Sequence, residues 1–210
     1  MKLIIASPSP YARKARVALL EKKIDFEEII DIPWNKNTLT KDINPLGKIP
    51  VLLHDNHKPL FDSKLIVQYL DYYKPQPLMY PEKPEENISA RLIETVADGV
   101  CDAIVLIFLE NTRKEMFRSK DWIKRQEIKI FEGVRYLSDH LKDRNYFVGS
   151  SFNISDICVY SCLEYIDLRF YKFEWRSQFP NLEKYWMFHK DRQSFKKTKP
   201  IAQTIEPLED

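Results

Sequence analysis

The segment Asn44-Pro45-Leu46-Gly47-Lys48-Ile49-Pro50-Val51-Leu52-Leu53, followed after a short polar turn by Phe61-Asp62-Ser63, constrains the fold more than any other stretch of the 210-residue chain. Pro50 opens an apolar strand and has no N–H to donate to a ladder, so it predicts a cis peptide that turns the chain sharply. Such a turn leaves the N–H and C=O of Ile49 facing outward, where a short extended peptide can add as a half-strand. Ser63 stands at the start of an amphipathic pattern (Leu65, Ile66, Tyr69, Leu70). Its hydroxyl and the unpaired N–H groups of a first helical turn suit a carboxylate, while Asp62 beside it suits an ammonium. A ligand with a free amino-acid head and a peptide backbone fits this arrangement, and glutathione is the cellular candidate.

Periodicity divides the chain into two parts. Leu3 to Ala6 reads as a strand, Pro10 to Lys23 as a helix with Val17, Leu19 and Leu20 on its apolar side, and Phe26 to Ile30 as a second strand. Proline at the first helical position supports a start near Ser9. Val51–Leu53 and Pro59–Phe61 read as an antiparallel hairpin, with His54-Asp55-Asn56-His57 as its turn rather than a metal-ligand pair. From Tyr73 to Pro81 three prolines interrupt any period, which marks a linker. Beyond it, helices are expected at Pro84–Thr112, Lys120–Leu141, Ile154–Phe170 and Leu182–Asp191, an all-α bundle. Asn153 and Asp156 have the spacing of a capping box, with Phe152 and Ile157 as its hydrophobic staple. The expected boundaries are 1–74, a linker at 75–83, and 84–210.

The motif around Pro50, the entry Ser7-Pro8-Ser9-Pro10-Tyr11 after the first strand, and Phe147-Val148-Gly149 before Asn153-Ile154-Ser155-Asp156 together resemble the cytosolic glutathione transferases, including bacterial members with a serine-type site. The family strand reads N-P-x-G-x-V-P-x-L before an acidic residue and serine, and the likeness covers nearly the whole chain. It implies an α/β thioredoxin-like N-terminal domain plus an all-α C-terminal helical bundle. It also implies a glutathione site in which Lys48 reaches the glycine carboxylate, Ile49 beside Pro50 pairs with the cysteinyl backbone, and Asp62 with Ser63 holds the γ-glutamyl group. Asp62 replaces the family's more usual glutamate, one methylene shorter. Asp98 matches an aspartate that in several relatives reaches across a homodimer interface; an ordinary helix-surface aspartate beside Gly99 is the alternative.

Such an enzyme must stabilise a thiolate near neutral pH, because a free thiol with a pKa of about 8.5 is mostly protonated there. Ser9 precedes Pro10 and the first helix, so it joins an O–H donor to the positive end of a helix dipole. Ser7 and Tyr11 are competitors, and a plain N-cap is the other role open to Ser9. Lys48 has a solvated loop lysine as its alternative, while Trp34 and Lys36 lie in the loop before the motif. The electrophile site is expected against Ala103, Leu106 and Ile107, with Tyr165 or Arg169. The activity implied is conjugation of the glutathione thiolate to a hydrophobic electrophile, with glutathione as cosubstrate and no metal. A noncatalytic interaction module of the same fold, and a glutathione-dependent reductase or lyase, are the alternatives. Retention of Ser9, Lys48, Ile49, Pro50, Asp62 and Ser63 together argues against the module, and serine in place of cysteine against the reductase.

Composition excludes rather than selects. Charged residues make up 30% of the chain, but 33 basic and 31 acidic residues leave a net charge of only +2, so no global field calls for nucleic acid or an anionic membrane. No apolar run has transmembrane length, and the three cysteines, Cys101, Cys158 and Cys162, suit a reducing cytoplasm better than a disulfide framework.

Overall fold

The computed structural model describes residues 1–55 and 57–205. They form two compact units: Met1–Glu82 together with the segment that begins at Arg192, and Lys83–Asp191.

In the first unit, β1 (Lys2–Ile5) is the middle strand of a three-stranded sheet ordered β2-β1-β3. It lies parallel to β2 (Glu27–Ile30) and antiparallel to β3 (Val51–Leu53). Its run Leu3-Ile4-Ile5 is buried on both faces, as a central strand requires. Between the parallel strands runs α1 (Pro10–Glu21), which packs its Ala12, Ala15, Val17, Ala18 and Leu19 inward. It meets α3 (Ser63–Tyr73), which buries Ile66, Val67 and Leu70. A single turn, α2 (Thr40–Ile43), precedes the proline motif.

The expected hairpin is shorter than the pattern implies. Its second arm reduces to one bridge, in which Leu52 and Leu60 exchange backbone bonds of 2.9 and 3.0 Å. The next hydrogen-bonded position of that register sets Pro50 opposite Asp62, and Pro50 has no N–H to donate.

The stretch after α3 is tied down rather than loose. Asp71 accepts from the backbone N–H groups of Met79 and Tyr80, both at 2.9 Å. The Lys22 ammonium, at the end of α1, lies 2.7 Å from Asp71 and donates to the carbonyls of Lys74 and Pro77 at 2.7 Å. Residues expected as a linker are therefore held by a buried ion pair, and the first unit extends to Glu82.

In the second unit, α4 (Pro84–Thr112) packs on α5 (Lys120–Leu141) and on α6 (Ile154–Arg169). The first two spans are those the periodicity predicts. Gly133 lets α5 approach closely, since a Cβ there would stand 2.4 Å from Val100 Cγ2. The capping box forms: Asn153 Oδ1 accepts from Ser155 N–H at 3.0 Å, and Asp156 accepts from the N–H groups of Asn153 and Phe147 at 3.1 and 2.9 Å. Short helices α7 (Trp175–Gln178) and α8 (Pro180–His189) complete the bundle.

The chain from Arg192 leaves that bundle, contrary to the expected extent of 84–210, and carries α9 (Gln193–Lys197) onto α1. Charge and hydrogen bonding draw it there: Arg192 grips Glu21 through two 2.8 Å bonds, and Arg13 of α1 donates to Thr198 Oγ1 and to the Phe195 carbonyl at 3.2 Å. All three cysteines are buried free thiols. Among the described residues no helix is long and apolar enough to cross a membrane, and no cluster of His, Cys, Asp and Glu has the makings of a metal site.

Candidate functional site

Strand register places the predicted residues of the first unit at one end of the sheet. β1 and β2 are parallel, so Ser7–Ser9 and Asp31 leave the sheet at the same, carboxyl end. β3 is antiparallel, with Val51 opposite Ile4, so Ile49 and Pro50 enter beside the exit of β1. Leu60 stands opposite Leu52, which brings Asp62 and Ser63 back to that end two residues later. Ligand sites of open α/β sheets lie outside the carboxyl ends of their parallel strands. Both α1 and α3 also begin here, so two helix N-termini carry positive potential into one region.

The motif's own turn is built by Asn44, whose role sequence inspection missed. Its buried side chain accepts from Leu46 N–H at 3.0 Å and donates to the Lys48 carbonyl at 2.7 Å, while its carbonyl accepts from Gly47 N–H at 2.8 Å. Gly47 has φ +58°, a conformation that a Cβ disfavours. The Ile49–Pro50 peptide is cis, as the sequence predicts, and Pro50 is buried. Lys48 is exposed, and Ile49 is half-buried just ahead of the first paired residue.

Ser9 is the N-cap of α1, and its Oγ accepts from Ala12 N–H at 3.1 Å. The cap uses a lone pair and not the hydroxyl proton, so the O–H is left to donate, made more acidic by the bond it accepts. Capping and thiolate stabilisation are therefore compatible in one residue. Ser7 and Tyr11 flank it, both half-buried. Asp62 is the N-cap of α3 and accepts from Lys64 N–H at 2.9 Å through one oxygen. Ser63 is the first helical residue and is buried.

Asp31, also unremarked in the sequence, organises the loop that carries Trp34 and Lys36. Its carboxylate accepts from Thr38 Oγ1 at 2.6 Å, from Thr40 N–H at 2.9 Å, and from the Thr40 hydroxyl. Burial opposes the charge, but the bonds from Thr38, Thr40 and the Leu39 backbone outweigh it and hold this carboxyl below the usual aspartate range. A pKa lower in the folded than in the unfolded chain adds stability above the unfolded value, and that stability is lost as pH falls through the folded one. Asp31→Asn should therefore unfold more easily at neutral pH and show a flatter stability profile below about pH 4 than the native chain. Chemical denaturation across that range checks it; an unchanged acid limb would assign the profile to other carboxylates.

The second unit holds the other predicted residues. Asp98 is half-buried on α4. Ala103, Ile107 and Tyr165 are buried, so they serve packing, while Leu106 is exposed and the Arg169 guanidinium lies 4.2 Å over the Phe108 ring. Burial, reinforced by the adjacent Cys101 thiol, pushes the Tyr165 phenol well above the usual tyrosine range and keeps it protonated.

Known proteins resemble this chain in sequence and in fold. Residues 8–72 match the model of the glutathione S-transferase N-terminal domain, and residues 120–185 that of the C-terminal domain. The chain is 34% identical over 200 residues to the uncharacterized GST-like protein YibF of Escherichia coli (strain K12), covering 95% of this chain and 98% of that one. A glutathione S-transferase from Methylobacterium radiotolerans, solved in complex with glutathione sulfonate, superposes with a TM-score of 0.96 at 39% identity, over 100% of this chain and 99% of that one. One from Methylobacillus flagellatus with bound glutathione gives a TM-score of 0.91 at 38% identity, over 95% and 99%.

Proposed function

Because the chain belongs to the glutathione S-transferase family, we propose that it binds glutathione at the carboxyl end of its sheet and conjugates the thiolate to a hydrophobic electrophile. Lys48 pairs with the glycine carboxylate, and the Ile49 backbone takes the cysteinyl residue as a half-strand beside Pro50. Ser63 and the first turn of α3 receive the γ-glutamyl carboxylate, and the second oxygen of Asp62 accepts from its ammonium. The thiol gives its proton to solvent, and Ser9 O–H, at the head of α1, donates to the sulfur anion. A sulfur lone pair then attacks an electrophilic carbon, and the leaving group departs with the bonding electrons.

The observation that carries this reading is the convergence of two helix N-termini and the Ile49 edge at one end of the sheet. The glutathione sulfonate bound in one similar structure and the glutathione bound in the other support it. Titration calorimetry tests it. Glutathione should bind saturably, and cysteinylglycine, which lacks the γ-glutamyl group, much more weakly; the bound thiol should conjugate an activated aryl chloride. Equal affinity for both peptides would remove Asp62 and Ser63 from the site, and no binding would sink the reading. The cytoplasm is the compartment we assign, since three buried free thiols suit a reducing one.

We also assign a homodimer in which Asp98 of one copy approaches the γ-glutamyl ammonium held by the other. Supporting this, α3 exposes Leu65 and Tyr72, and α4 exposes Ile88 and Leu92. Sedimentation should return twice the chain mass, and Ile88→Glu should shift it toward the monomer. A native monomer at micromolar concentration would remove Asp98 from the site.

A further inference from the structure

We infer that Gln203, almost at the opposite end of the chain, is a positioning residue for the thiol site. Three successive attachments define the path of the C-terminal segment. At the end of α1, Glu21 takes two 2.8 Å bonds from Arg192 and a third from the Ser194 hydroxyl. Near the beginning of the helix, Arg13 donates to Phe195 O and Thr198 Oγ1 at 3.2 Å. Beyond its first residue, Gln203 Oε1 accepts from the backbone N–H of Ser7 at 3.1 Å, across 196 positions of sequence.

The segment thus runs antiparallel to the whole 12-residue helix, about 18 Å, and arrives at the loop that presents Ser9. That loop is also anchored locally, where Ser9 O accepts from Arg13 N–H at 3.0 Å. Ser9 N–H bonds to Ala6 O at 3.0 Å, and Ser9 Oγ holds Ala12 N–H. Ser7 lies between the end of β1 and this cap, so an acceptor on its N–H fixes the direction in which the chain leaves the strand and approaches the helix. The orientation of the Ser9 hydroxyl depends on that direction. A donor displaced by a fraction of an ångström from the sulfur loses much of its effect on the anion while leaving the rest of the ligand in place. Gln203 touches neither sulfur nor electrophile; it acts through Ser7.

The inference rests on the reading of Ser9 as the sulfur's donor, and the experiment separates the two. The thiolate absorbance of bound glutathione is titrated in the native chain and in Ser9→Ala, Gln203→Met and Gln203→Ala. Thermal melting is recorded for each. Gln203→Met keeps the length of the side chain and removes the acceptor. It should raise the bound thiol pKa by roughly half a unit to one unit and lower kcat about three- to tenfold, with KM for glutathione little changed. Gln203→Ala removes the acceptor together with the reach of the side chain, adds no charge, and should raise the thiol pKa by a similar amount. If Gln203→Met does not fold, Gln203→Ala carries the test alone.

A native, low thiol pKa in both Gln203 variants, beside a raised one in Ser9→Ala, would overturn the role of Gln203 and leave that of Ser9 standing. A native chain with no lowered thiol pKa, or a Ser9→Ala variant that keeps it, would overturn both.

Discussion

Ser9→Ala is expected to reduce kcat for conjugation by roughly 10²–10³, the loss typical of removing one donor from a developing or bound anion. The bound thiol pKa should rise toward the free value of about 8.5 in the same variant. Glutathione affinity should change far less, because the contacts assigned to Lys48, Ile49, Asp62 and Ser63 do not involve the hydroxyl. Alanine also removes the cap on Ala12 N–H, which costs about 1 kcal/mol of stability. Ser9→Gly separates the two effects, since glycine at an N-cap costs only a few tenths of a kcal/mol. The glycine variant should be nearly as stable as the native chain and as inactive as the alanine one. Steady-state kinetics with ultraviolet titration decide the matter; a Ser9→Gly enzyme with native kcat would pass the role to Ser7 or Tyr11.

Lys22→Met should be among the most destabilising single changes in the first unit. Lys22 is 0% exposed and Asp71 is 9% exposed, so neither charge is relieved by water if its partner goes. The ammonium satisfies Asp71 and two carbonyls, those of Lys74 and Pro77. Truncating one partner of such a pair leaves an uncompensated buried charge and typically costs about 3–5 kcal/mol. For a chain of this size that corresponds to roughly 6–20 °C in Tm. Asp71→Ala should cost a similar amount, because it also strands the N–H groups of Met79 and Tyr80. The double variant should lose much less than the sum of the two, since each single change already breaks the same contact. Denaturant unfolding of the four chains measures the coupling; additive losses would show that the pair acts through separate contacts.

Much of the fold was legible because its signals are local. Pro84–Thr112 and Lys120–Leu141 follow from unbroken helical periodicity, and the Asn153–Asp156 box from a spacing of three. The site motif was legible for the same reason. Gly47, Pro50, Asp62 and Ser63 lie within twenty residues, and their turn, strand entry and helix start are set by backbone preferences that each residue carries with it. Asn44 was missed although it opens the motif, because asparagine before proline is consistent with any turn, and only the Lys48 carbonyl and the Leu46 N–H identify it as the hub.

The sequence by itself determined the two-part architecture, the two longest helical spans, the cis-proline entry and the pairing of a hydroxyl with a helix N-terminus at Ser9. Tertiary structure alone decided where the proline-rich stretch 75–82 and the segment from Arg192 belong. Neither has a hydrophobic period of its own. Their places are set by Lys22 with Asp71, Arg192 with Glu21 across 171 positions, and Gln203 with Ser7 across 196. A polar side chain reads alike in solvent and in a buried pair. Which it joins is decided only when the packed core brings a distant partner within hydrogen-bond reach and excludes the water that would otherwise serve.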